Sequence, residues 1–115
     1  MTKPTPPVPP LRYQEFIERF PRLAVAWEAL HEAGAEGPLD ARTQRLVKLS
    51  VAIGAQREGA VRSSVRKALA EGLSLGELEQ IIALAASTIG MPAAVAAFSW
   101  ARAAAEGDAP RRRDP

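Results

Sequence analysis

The sequence predicts an all-α protein of six helices joined by short connections. Apolar residues recur every three or four positions, which is the spacing of one helix face, and no segment shows the alternation of a strand. Glycine, proline and capping residues divide the chain into pieces of helical length. Hydrophobic residues make up 47% of the chain but aromatic residues only 5%, so we expect a core of small and aliphatic side chains.

Two helices are predicted at the start of the domain, over residues 11–20 and 21–33. Residues 1–10 contain half of the chain's prolines and are predicted to be an extended tail. Phe16, Ile17 and Phe20 share one face of the first helix. Pro21 suits the first position of the second helix, and Gly34 is predicted to end it.

Four more helices are predicted between Asp40 and residue 106. Asp40 is an N-cap for a third helix that is apolar nearly all round over 46–53 and therefore belongs in a core or an oligomer interface. A fourth helix follows over 58–71. Ser74 and Glu77 form a capping box at the start of the fifth helix, and Gly90 separates it from an alanine-rich sixth. We expect one domain over 11–107 and a disordered basic tail over 108–115.

Composition excludes several classes of function. The chain has no cysteine, so disulfides, thiolate metal sites and thiol redox chemistry are ruled out within it. One histidine, His31, disfavours a zinc site, and no cofactor is expected. No run of apolar residues is long enough for a membrane span, and residues 1–10 do not resemble a signal peptide, so we expect a cytoplasmic protein.

The net charge of +2 is distributed unevenly. Lysine and arginine greatly outnumber acidic residues over 41–72, whereas acidic residues are in excess over 1–40. The run Arg111–Arg113 has no interleaved aromatic residues, which disfavours nucleic-acid binding. The positive charge of the middle segment instead favours a small anionic ligand.

Several segments of the second half carry a family resemblance. Residues 39–52 read LDARTQRLVKLSVA, 65–72 read VRKALAEG, 75–78 read LGEL and 90–94 read GMPAA. In this order, and most strongly over 39–105, they resemble the carboxymuconolactone decarboxylase and alkylhydroperoxidase D-like family. The resemblance implies a helical bundle that assembles as a homo-trimer, a hexamer or a related ring.

The family's redox motif is absent from this sequence. The resemblance places a Cys-x-x-Cys, a following histidine and an upstream glutamate at Arg57, Ala60, Ser64 and Arg45. Because these residues form no sulfenic acid, peroxidase or disulfide-reductase activity is not expected. The decarboxylase branch also favours histidine at the position of Ser64. Residues 57–61, Arg-Glu-Gly-Ala-Val, instead resemble a branch that lacks the cysteines.

Glu58 is the candidate for acid–base catalysis, although an acidic residue in a first helical turn is also explained by the helix dipole. Arg45, Arg57 and Arg62 are candidate ligand-binding residues if they converge, and surface ion pairs are the alternative. Ser64 is a candidate lining residue of the same pocket, or a hydroxyl inside its own helix.

Lys48 has two interpretations. It is either a desolvated amine capable of forming a Schiff base or a side chain that extends to water or pairs across an interface. Trp27 and Trp100 are expected to anchor the core or an interface. Two functions remain open: a protein that binds or transforms a small anionic or carbonyl compound, and a non-catalytic assembly protein.

Overall fold

The computed structural model describes residues 10–107, which form six α-helices and no strand, as predicted. The helices are α1 (Leu11–Arg19), α2 (Pro21–Ala35), α3 (Ala41–Gly54), α4 (Glu58–Ala70), α5 (Leu75–Ile89) and α6 (Met91–Ala105). Residues 1–9 of the tail predicted over 1–10, and the whole tail predicted over 108–115, lie outside the described residues. None of the six helices is long and apolar enough to cross a membrane.

Helices α3 to α6 form a four-helix bundle that contains the core. α3 packs against α4 and α5, and α6 packs against the same two helices from the other side. The side chains buried most completely are aliphatic, because almost all of the chain's aromatic residues lie outside this bundle or at its surface. The largest fully buried side chains are those of Leu49, Ile53, Val61, Val65 and Leu78.

The buried face of α6 consists of alanines. Ala94, Ala97, Ala101 and Ala104 follow helical spacing and are all nearly inaccessible to solvent. The larger residues Val95 and Phe98 on the same helix are exposed instead. Small side chains on the buried face allow α6 to approach α4 and α5 closely. The small size of these side chains, and not a large apolar area on each of them, explains why this face is the buried one.

Helices α1 and α2 pack mainly against each other. The rings of Phe16 and Phe20 meet edge to face at 5.6 Å, and neither helix has a buried residue. Most of their large apolar side chains, Trp27 and Leu30 among them, are about half or more exposed. This helical pair therefore contributes little to the core over residues 10–107.

The predicted end of α2 at Gly34 is wrong. The helix continues through Gly34 to Ala35, and Glu36 caps it in an extended conformation. Gly37, with φ +139°, is the glycine that reverses the chain. A glycine inside a helix costs only about 1 kcal/mol, so its presence alone does not end one.

The predicted helix starts at Asp40 and Ser74 are confirmed. The carboxylate of Asp40 accepts a hydrogen bond from the Thr43 N–H at 2.8 Å. Ser74 and Glu77 form both halves of a capping box. Between α3 and α4, Gln56 adopts a left-handed φ of 56°. Its side-chain Nε2 donates a hydrogen bond to the Ala93 carbonyl at 3.4 Å. This contact ties the α3–α4 turn to α6.

Candidate functional site

The start of α4 holds three of the predicted site residues. Arg57 is the N-cap residue, and its side chain makes no capping hydrogen bond. Glu58 follows as the first helical residue, and its Oε2 accepts from Arg62 Nε at 2.9 Å and Nη2 at 2.8 Å. The carboxylate predicted to act as an acid or base is thus engaged by one of the predicted ligand-binding arginines.

Arg45 lies at the opposite end of α4. Its Nε and Nη2 donate to the two carboxylate oxygens of Glu71 at 3.1 and 3.2 Å. The Arg45 side chain is only 15% exposed, so this bidentate pair is the most protected ion pair with an arginine in the described chain. It joins α3 to the end of α4.

The structure does not bring the three predicted arginines together. A 13-residue helix such as α4 is about 20 Å long, and Arg45 contacts its last turn while Arg57 precedes its first. Arg62 lies with Glu58 near the first turn. A ligand site at the start of α4 would therefore use Arg57 and Arg62 without Arg45.

Ser64 is buried inside the bundle. It is 6% exposed and is the one buried polar residue between positions 10 and 107. No hydrogen bond within that range joins its hydroxyl to an acidic or basic side chain. Without such a base the hydroxyl has no means of activation as a nucleophile. Its placement fits the interpretation of a helix-interior hydroxyl.

A cavity of about 350 Å³ lies elsewhere, between α2 and α3. Its walls are mostly apolar, and only three of the side chains that line it are polar. The lining residues are Trp27, Leu30, His31, Gly34, Ala35, Leu39, Gln44, Val47 and Lys48. The ring of His31 stacks at a tilt against Trp27, with 4.9 Å between the ring centroids. An apolar cavity with a few polar groups is the usual form of a small-molecule site.

Positive charge surrounds one end of this cavity. Arg45 and Lys48 on α3 and Lys67 on α4 form a group that we call the cation cluster. Burial lowers the pKa of His31, and Lys48, Lys67 and Arg45 lower it further, whereas Glu28 opposes them. The lowered pKa favours the neutral imidazole, in which one ring nitrogen is able to accept a hydrogen bond.

The proximity of two members of this cluster could have been predicted from the sequence. In a tight helical hairpin, residues equally distant from the turn face each other, and the turn here is centred on Gln56. Arg45 and Lys67 are such a pair. The place of His31 in the cavity lining was not predicted, because the position of α2 against α3 depends on tertiary packing and not on any local pattern.

A carboxymuconolactone decarboxylase family model matches residues 21–103. That match covers more than half of the chain. The chain belongs to the carboxymuconolactone decarboxylase family. No curated protein and no solved structure matches it significantly.

This carboxymuconolactone decarboxylase family protein lacks the thiols of its redox-active relatives. It has no cysteine, and the positions that the resemblance assigns to the thiols are Arg57 and Ala60. The described residues also contain no group of three or more side chains able to hold a metal ion.

Proposed function

We propose that the protein binds a small organic anion with an apolar body in the α2–α3 cavity. One observation carries the proposal: Lys48 is the single cationic side chain of the otherwise largely apolar lining. The cavity volume, about 350 Å³, lies within the range of roughly 300–1,000 Å³ that ligand pockets occupy.

The lining supplies both parts of such a ligand's recognition. The Lys48 ammonium is able to donate charge-assisted hydrogen bonds to a carboxylate or phosphate. Trp27, Leu30 and Val47 offer apolar surface to the body of the ligand. Lys67, which interacts electrostatically with Lys48, adds positive potential near this end of the cavity, whereas Glu71 balances much of the charge of Arg45.

The start of α4 is the competing location for the ligand. Arg57, Arg62 and Glu58 lie there beside free N–H groups of a helix N-terminus, which favour anions. However, Glu58 already neutralises much of the charge of Arg62. Neither the α2–α3 cavity nor the groove between α5 and α6 is lined by residues at the start of α4.

A thermal-shift measurement with hexanoate and benzoate distinguishes the two locations. We expect both anions to stabilise the protein, by about 2.7 kcal/mol at a hundredfold excess over Kd. Lys48→Met keeps the length of the side chain but removes its charge, and we expect it to weaken binding about tenfold or more. Gly34→Leu should also weaken binding, since a Cβ at Gly34 meets no atom within 4 Å and a leucine there would occupy cavity space.

Arg62→Ala is the matched control for this experiment. It removes one positive charge from the chain but none from the α2–α3 cavity. We expect it to retain the thermal shift. Loss of the shift in Arg62→Ala and its persistence in Lys48→Met would move the site to the start of α4.

A second candidate function is non-catalytic self-assembly as a homo-trimer or hexamer. It is supported by the large apolar side chains that are exposed on α1, α2, α3, α5 and α6. Exposed apolar patches of this extent are typical of interaction surfaces. The two functions are compatible if assembly uses the face formed by α5 and α6, because its residues do not line the α2–α3 cavity.

A further inference from the structure

The polar side chains that line the α2–α3 cavity differ in what they offer a ligand. His31 lies on α2, and Gln44 and Lys48 lie on α3. The lining formed by the described residues includes no carboxylate. It therefore combines one cation with an amide and an imidazole, two groups that are able both to donate and to accept hydrogen bonds.

Each of these side chains has hydrogen-bonding capacity that the chain does not use. Gln44 Nε2 donates to the Leu39 carbonyl at 2.7 Å, and the Oε1 atom of the same amide has no partner between residues 10 and 107. In that part of the chain no hydrogen bond reaches a ring nitrogen of His31 or the Lys48 ammonium. These groups remain available to a molecule that enters the cavity.

The polar groups also differ in burial. Lys48 is exposed, whereas His31 and Gln44 are half-buried. Gln44 and Lys48 are four residues apart on α3 and so lie on the same side of that helix. A carboxylate held by Lys48 would therefore lie toward solvent. The more protected positions are those of the two neutral side chains, which suit an uncharged polar group on the body of the ligand.

The α2 side of the cavity presents two rings. Trp27 and His31 are one helical turn apart, their centroids lie 4.9 Å from each other, and their planes are tilted by 50°. Aromatic rings attract each other in offset or edge-to-face arrangements, because the face of a ring is negative and its edge is positive. A planar ring would gain this attraction at Trp27, whereas a saturated ring of similar size would gain only apolar contact.

We propose that the α2–α3 cavity selects aromatic acids that carry a ring hydroxyl, and that His31 is the residue that recognises the hydroxyl. The inference rests on the proposed function for capture of the carboxylate by Lys48. It narrows the ligand from a small organic anion with any apolar body to a hydroxylated aromatic acid. A hydroxyl both donates and accepts hydrogen bonds, so it matches a neutral imidazole and the Gln44 amide beside it.

Isothermal titration calorimetry of the full chain at neutral pH tests the ligand class. We expect benzoate to bind at least about threefold more tightly than cyclohexanecarboxylate, although the saturated ring is the more hydrophobic of the two. We expect the better of 3-hydroxybenzoate and 4-hydroxybenzoate to bind at least about threefold more tightly than benzoate, although the hydroxyl makes the ring more polar. A cavity that recognises apolar surface alone would give the opposite order.

His31→Phe tests the residue assigned to the hydroxyl. It keeps a ring beside Trp27 but removes both ring nitrogens. We expect it to abolish the advantage of the hydroxybenzoate over benzoate and to change the affinity for benzoate by less than about twofold. Glu32→Gln, the matched control, alters the next residue of α2, which is exposed and outside the lining, and should keep the advantage. An advantage that survives in His31→Phe, or an equal loss of affinity for both acids, would overturn the role of His31.

The order of affinities in the unaltered protein decides the ligand class without any variant. The absence of either preference, for the aromatic ring or for the hydroxyl, would overturn it. Hexanoate separates this result from the proposed function, since it has neither a ring nor a hydroxyl. Binding of hexanoate that depends on Lys48, without the two preferences, overturns the selectivity alone. No binding of any of these acids overturns both proposals.

Discussion

At the scale of single residues, Asp40 and Ser74 define where two helices begin. Each side-chain oxygen accepts a hydrogen bond from an N–H in the first turn, which would otherwise lack a partner. Both were predictable from the sequence because capping is a local interaction between residues three positions apart. The negative charges of Asp40 and Glu77 also lie where the helix dipole favours them.

Glu77 makes the stability of the fold depend on pH. The Ser74 N–H and the Arg42 guanidinium lower the pKa of Glu77 from its ordinary value of 4.5. The unfolded chain therefore binds more protons than the folded one as pH falls below 4.5, and this part of the stability is lost on acidification. We expect Glu77→Gln, which is able to keep the capping box, to show a weaker loss of stability between pH 5 and pH 3. Urea unfolding of both proteins at several pH values measures this, and parallel curves would contradict it.

For Gly34 and Lys48, the sequence suggested a structural role but did not determine the position that each residue takes in the fold. Gly34 was predicted to end α2, yet the helix continues to Ala35, and the glycine with a positive φ lies beyond the helix cap, at Gly37. Lys48 was expected either to extend to water or pair across an interface, or to be a desolvated amine; the structure places it in the cavity lining as an exposed residue, which favours extension to water. In both cases the outcome depends on contacts with residues outside the local segment.

At the scale of secondary-structure elements, the sequence predicts where α3 lies but not which face is buried. Leu49, Ala52 and Ile53 are buried, whereas Val47 and Val51 are 46% and 64% exposed. Because the segment is apolar nearly all round, its pattern does not distinguish these faces. In α4, by contrast, apolar spacing and burial agree, since Val61, Val65 and Ala68 follow one helix face and are fully buried, with Leu69 partly buried beside them.

The alanine face of α6 leads to a prediction about packing. Ala97 is fully buried where α6 meets the bundle, and Ser99 is exposed on the same helix. We expect Ala97→Leu to lower the free energy of unfolding by about 1–3 kcal/mol, because extra methyl groups have no space there. Ser99→Leu, the control, should change it by less than about 0.5 kcal/mol. Urea denaturation measures both values, and similar losses in the two variants would contradict close packing at Ala97.

At the scale of the whole molecule, the candidate site arises where two parts of the fold meet. Lys48 belongs to the four-helix bundle, and Trp27 and His31 belong to the outer α1–α2 pair. The family resemblance was sufficient to predict the bundle. It directed attention to the start of α4, because the thiols of the redox-active relatives lie there. The cavity was not predictable, since no sequence pattern specifies how α2 lies against α3.

The exposed apolar residues lead to a prediction about assembly. The face formed by α5 and α6 includes Met91, Val95 and Phe98, which are 66%, 56% and 41% exposed. A stable interface buries about 800 Å² on each partner, and large exposed apolar side chains supply the driving force. We therefore expect light scattering to give about three or six times the chain mass of 12.3 kDa.

Two charge substitutions test whether this face forms the interface. Phe98→Glu would replace an apolar ring with a carboxylate, whose burial in an apolar contact is unfavourable even with Arg102 one turn away, so we expect it to reduce the assembly toward the monomer. Ser99→Glu adds the same charge at the neighbouring exposed position and should retain the assembled mass. A monomer mass for the unaltered protein at every concentration would overturn self-assembly. An assembled mass that Phe98→Glu leaves unchanged would place the interface on another apolar surface, of which the α1–α2 pair is the most exposed.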